Sequence, residues 1–220
     1  MQSIRRGKAG SAVAVISALL FAFAVWSAYS VTSGQTVRTT RTAAPARPNA
    51  STQQGLDAWQ QMYSVLTHPR CINCHTATNY PQQGDDRHRH FANVIRGPAG
   101  HGVPALNCAT CHQEANADST GAPGGHDWHL APLPMRWQDT NDRALSSSAV
   151  CRTVTDRRRN ENMDGAALLK HHEDAALVLW AWSPGRRPDG TVRTVPTLTH
   201  DEFVAATRRW VDAGMPCPRD

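Results

Sequence analysis

Two short stretches concentrate the residues able to do chemistry. Residues 70–75 read RCINCH and, 37 positions further on, residues 107–112 read NCATCH. Each is a Cys-x-x-Cys pair followed at once by histidine, and together they use four of the six cysteines. A zinc ribbon also presents two Cys-x-x-Cys turns to a tetrahedral ion, but it has no use for histidine at the next position in both halves. A thioredoxin-like dithiol needs one such pair opening a helix in a βαβ setting, and neither pair has that surround. Covalent haem attachment uses every fixed position: the thiols add to the porphyrin vinyl groups, and the adjacent imidazole is held beneath the iron. The expectation is two covalently attached haem c groups, one on Cys71, Cys74 and His75 and one on Cys108, Cys111 and His112.

The remaining question is how each iron is closed, because a closed iron transfers electrons whereas an open one binds small molecules or peroxide. Of the histidines outside the motifs, His101 stands in GPAGHGVPAL, where flanking glycines let backbone approach a flat cofactor. Its ordinary reading is a solvated loop histidine. His129, in DWHLAPLPM, lies in an apolar, Trp-flanked stretch after the second motif. These two are the leading distal candidates. His90, in the arginine-bearing stretch RHRHF, ranks below them, and His88 below that. Met135, in LPMRW, is a thioether candidate whose usual role is core filling. His171 and His172 are helical neighbours on different faces, one expected to be exposed and one packed. His68 and His200 fall at helix ends, where capping or charge explains them. Met163 and Met215 stay open. The leftover Cys151 and Cys217 pair most simply with each other in an oxidising compartment, closing a loop worth roughly 4 kcal/mol in the chain-entropy picture. Two free thiols or an intermolecular link are the alternatives.

The elements that must position these groups lie behind a leader. Arg5, Arg6 and Lys8 precede a run without charge from Ala9 to Val31, just long enough to span a bilayer. Trp26 would occupy the −3 position for cleavage after Ala28, a poor fit, so residues 1–31 read as an uncleaved signal-anchor in preference to a removed signal peptide. Residues 32–55 are rich in Thr, Ala, Pro and Gln and read as a disordered tether. Those first 55 residues hold six of the 23 Lys and Arg and none of the 18 Asp and Glu, so residues 56–220 carry a net charge of −1. That balance gives no nucleic-acid surface.

Residues 56–220 form one expected domain, with the 37-residue interval too short for each haem to own a separate fold. Leu56, Trp59, Met62, Tyr63 and Leu66 recur at helical spacing, and Pro69 stops that helix before the first motif. The segment between the motifs is punctuated by Gly and Pro, with a short turn or strand near Phe91–Ile95. A polar helix is expected through DRALSSSAVCRTV, another from about Gly165 to Trp182, and a last one opening at Thr199 with Glu202 as a capping box and ending at Gly214. The seven tryptophans read as packing against flat cofactors and helices. The fold class that follows is mainly α: a loop-rich dihaem cytochrome c-like domain behind an N-terminal apolar helix.

The phrases VLTHPRCINCH, GHGVPALNCATCH, WHLAP and HDEFVAATRRWVDAGMPCP resemble a group of small bacterial dihaem c-type cytochromes known as isoquinoline 1-oxidoreductase subunits. The resemblance covers most of residues 56–220. It implies an electron acceptor serving a molybdenum hydroxylase, although the chain itself has no pattern for a molybdopterin or iron–sulfur site. The expected function is single-electron transfer on the periplasmic side of the bacterial inner membrane. Its partners would be a dehydrogenase-type donor, a respiratory acceptor and, through the N-terminal apolar segment, the membrane. No residue is given the part of acid, base or nucleophile. The alternative is a dihaem redox enzyme with one open haem, of the peroxidase or thiosulfate-oxidising type.

Overall fold

The computed structural model describes residues 50–220, which belong to one compact unit. Six α-helices run in the order α1 (Ala50–Leu66), α2 (Pro69–Ile72), α3 (Ser147–Thr155), α4 (Gly165–Asp174), α5 (Ala176–Trp180) and α6 (His200–Asp212). Two two-residue hairpins, β1–β2 (Gln82–Gln83 with His88–Arg89) and β3–β4 (Gly102–Val103 with Leu106–Asn107), interrupt the long segment between the second and third helices.

The expectation of a mainly α fold behind an N-terminal apolar helix is corrected. Helix accounts for only 41% of the structure, and the stretch from 73 to 145 is almost entirely turns, 3-10 turns and hairpins. The reason is local: Gly and Pro recur too often there for a helix to propagate past its costly first turn. Among the described residues no helix is long and apolar enough to cross a membrane. The run Ala9–Val31, assigned to an apolar helix, and most of the tether lie outside the described residues.

The helices gather at the two ends of the described sequence and pack on each other. Trp59 and Met62 of α1, Val150 and Val154 of α3, and Phe203 and Trp210 of α6 form the centre, all essentially without solvent contact. The rings of Trp59 and Trp210 meet at 5.1 Å between centroids. Each indole N–H has an acceptor, Trp59 on Ser147 Oγ at 2.9 Å and Trp210 on the Pro216 carbonyl at 3.0 Å. Helix α1 begins at Ala50, inside the stretch whose composition reads as tether. Gly55 explains this extension, since a Cβ there would lie 2.6 Å from both Ala213 Cβ and Pro216 Cγ, so α1 lies against the C-terminal segment. Cys151 and Cys217 are disulfide-bonded, fixing α3 to that same segment.

Two boundaries differ from the sequence expectation. Pro69 opens α2 as its first residue, where the missing N–H costs nothing, and His68 caps it by accepting from the Arg70 N–H at 3.2 Å. The run from Gly165 to Trp182 is two helices, broken at Ala175, whose extended backbone (φ −66°, ψ 128°) ends α4 and starts α5. No proline or glycine marks that break. It turns Leu177, Val178 and Trp180 toward the wall of a cavity. By contrast α6 forms as expected, with the reciprocal Thr199–Glu202 capping box and Gly214 at φ +81° beyond its end.

Candidate functional site

The first motif sits at the end of α2, against the helical core. Cys71 and Cys74 are unpaired thiols, as are Cys108 and Cys111. Burial raises Cys71 to about 12 and Cys74 to about 11, so both stay protonated near neutral pH. After burial, the next effect raising Cys74 is Cys108 of the second motif. His75 is strapped from the segment 135–137. Its Nδ1–H donates to the Met135 carbonyl at 2.7 Å, its own carbonyl accepts from the Trp137 N–H at 2.8 Å, and the Trp137 ring stacks on the imidazole at 3.4 Å with 4° between planes. Burial drives the imidazole down to about 3 despite the Met135 carbonyl, so the ring is neutral with its Nε2 lone pair available.

The second motif repeats this arrangement on a 3-10 turn, Cys108–Thr110, that follows directly from the β3–β4 hairpin. Asn107 caps the turn by accepting from the Ala109 N–H at 3.0 Å. His112 Nδ1–H donates to the Pro123 carbonyl at 2.7 Å, and Trp128 stacks on the ring at 4.5 Å with 5° between planes. Burial, more than any other cause, lowers the His112 pKa; its shell is thinner, though, and Cys111 is exposed.

Both histidines therefore have the same preparation. One ring nitrogen is committed to a backbone carbonyl, which fixes tautomer and orientation and leaves the other nitrogen as a donor toward a metal.

A cavity of about 400 Å³ opens beside the first motif, within the range of cofactor sites. Cys71, Cys74 and His75 form one side, and Trp180, Trp182 and His171 lie along the helical side. Two of its lining residues carry buried donors with no acceptor, Arg70 Nε and Trp137 Nε1. The rest of the Arg70 guanidinium pairs with Asp85, which also pairs with Arg187, and lies 5.8 Å from the Trp180 ring centroid. Arg96, buried, donates to the carbonyls of Thr76 (3.0 Å), Thr78 (3.3 Å) and Ala131, binding the segment behind the first motif to the residues that lead into the strap. Neither arginine stands out by sequence pattern.

The distal candidates are distributed unevenly. His90 lies beside His112, with 6.0 Å between ring centroids and 69° between planes, and its Nδ1–H donates to the Phe91 carbonyl at 2.6 Å. Two imidazoles on opposite sides of one metal, each nitrogen about 2 Å from it, have centroids about 6 Å apart. His101 and His129 instead come together on one carboxylate: His101 Nε2–H donates to Asp127 Oδ1 at 2.9 Å, His129 Nδ1 lies 3.4 Å from Asp127 Oδ2, and the two rings stack at 5.0 Å. Among the described residues this trio alone has three metal-ligating atoms within 4.8 Å of one another. Its geometry follows from Gly100, whose φ of +82° lets the Leu130 N–H reach the Gly100 carbonyl at 3.0 Å. A Cβ at Gly100 would sit 2.3 Å from the Leu130 oxygen. The close backbone approach expected in this loop is therefore made to residue 130. Met135 is buried, and its carbonyl holds His75. His88 Nδ1 lies 2.6 Å from Asp86 Oδ1.

Compared with protein families, characterised proteins and solved structures, the chain matches none.

Proposed function

We propose that the chain is an exported dihaem c-type cytochrome that relays single electrons between a dehydrogenase-type donor and a respiratory acceptor, in the manner of the dihaem cytochromes it resembles. The carrying observation is that each Cys-x-x-Cys-His motif keeps both thiols unpaired and holds its histidine by an Nδ1–H bond to a backbone carbonyl, at 2.7 Å in both cases. A zinc ribbon would gather the four thiols around one point, and they form no such cluster.

The residues present also fit the group. At the first motif the two thiols and the free Nε2 of His75 open on a cavity whose unpaired Arg70 and Trp137 donors suit the carboxylates of a tetrapyrrole. Haem, when attached, supplies a one-electron ferrous–ferric couple. The chain's part is to hold it by Cys71, Cys74 and His75 and by Cys108, Cys111 and His112, to exclude water at the first position, and to bring the two positions close enough for electrons to pass. His90 is the favoured distal partner at the second position. Export and membrane attachment through residues 1–31 belong to the same proposal.

Expression in a bacterium that attaches haem c outside the cytoplasm tests this. The expected result is two covalent haems per chain by intact mass and haem stain on a denaturing gel. A chain that remains haem-free and instead carries zinc overturns it.

A further inference from the structure

The first position needs a partner opposite His75, and neither leading sequence candidate is free for it: His101 and His129 share Asp127. Helix α4 supplies another. Successive residues on a helix point about 100° apart, and His171 and His172 divide accordingly. His172 borders the same cavity but is built into the core: it is 5% exposed, its Nδ1 bonds the Thr207 hydroxyl at 2.9 Å, and its ring packs on Phe203 at 4.6 Å. Its carbonyl accepts from His200 Nε2–H at 2.8 Å.

The His171 imidazole has no hydrogen bond to any described residue, while the residue's carbonyl accepts from the Ala175 N–H at 3.1 Å. It follows Leu168 by three positions on the same helical face, and both line the cavity onto which Cys71, Cys74 and His75 open. Its surface is exposed although Glu161 and His129 crowd it, and those two neighbours line the cavity as well. An imidazole carried on a helix at the border of this cavity, with no partner competing for either nitrogen, is free to turn one of them toward a metal held by His75.

We propose that His171 is the sixth ligand of the iron held by His75, so that the first haem is closed by one imidazole from α2's motif and one from α4. This rests on the dihaem reading above. The ligand comes from a rigid helix anchored through His172 to α6, which ties closure of the first iron to the helical core.

The test uses the full haem-loaded protein and three single variants, H171A, H171M and H129A, each first checked for two covalent haems. Electron paramagnetic resonance and near-infrared spectra of the oxidised forms are then read together with cyanide binding. The expected result for H171A is conversion of one haem of the two from low-spin to high-spin, with uptake of one cyanide per chain that the parent does not take up, reversed by added imidazole. H171M is expected to exchange one bis-imidazole signature for a His/Met one, and it serves if H171A does not accumulate. Two low-spin haems with unchanged signatures in H171M, or opening of an iron by H129A and not by H171A, overturn the assignment. A parent protein without covalent haem instead sinks the dihaem reading itself.

Discussion

The two Cys-x-x-Cys-His motifs share their local construction and differ in what surrounds them. Each is entered through a capping side chain, His68 or Asn107, each histidine donates Nδ1–H to a carbonyl, and each ring lies flat on a tryptophan. Yet the first lies between α2 and the helical core, where burial lifts its thiols far above their usual range, while the second rides on a hairpin with Cys111 exposed. The difference teaches that the motif sets what is held and the surroundings set its energetics. A buried position is the one whose potential the protein can tune, and a surface position is the one a redox partner can reach.

The largest effect expected from this contrast comes from removing each cysteine pair. Cys71→Ser with Cys74→Ser should leave the cavity unfilled within the core and lose most of the folded protein. Cys108→Ser with Cys111→Ser should yield a soluble one-haem protein. Equal yields of soluble protein by haem stain and mass would break the comparison.

Next is the disulfide. Cys151→Ala with Cys217→Ala should cost about 2–5 kcal/mol in denaturant unfolding. Because Val154 on the same helix lines the first cavity, the dihaem proposal expects the spectrum of a haem at the first motif to change and that of one at the second to stay.

A subtler asymmetry concerns charge. Arg70 lies in the wall of the first cavity, its side chain 3% exposed. A ferric haem carries one more positive charge than a ferrous one, so a nearby guanidinium favours reduction. Arg70→Gln should therefore lower the first potential by about 60 mV, a tenfold change in a one-electron equilibrium, and move the second by less. A redox titration that shifts both equally would dissolve the distinction.

The smallest effect is at the caps. His68→Ala and Asn107→Ala should each cost about 0.5–1 kcal/mol, read from unfolding midpoints. A cost for Asn107→Ala as large as that of the disulfide would mean that the second position is not peripheral to stability.

Much of the helical frame was legible in the sequence. The α6 capping box, its glycine stop and the apolar stripe of α1 are local patterns of spacing, and they form where those patterns place them. The break at Ala175 was not legible, because no residue there forbids helix; the chain turns to build the cavity wall. The early start of α1 also escaped, since its polar first turns become helical only by packing Gly55 against the C-terminal segment.

By itself the sequence determined the identity and spacing of the thiols and imidazoles, the capping box that opens α6, and the cysteine pair left over to bridge. All of these depend on residues within one turn of each other or on counting. Only the tertiary structure decided which carbonyl holds each motif histidine, that His101 and His129 converge on Asp127, and that of the two histidines of α4 bordering the first cavity His172 is bonded to Thr207 while the His171 imidazole is unbonded. Direction is the physical reason. A side chain's type is written at its position, but where its lone pair points depends on the elements packed on either side of it.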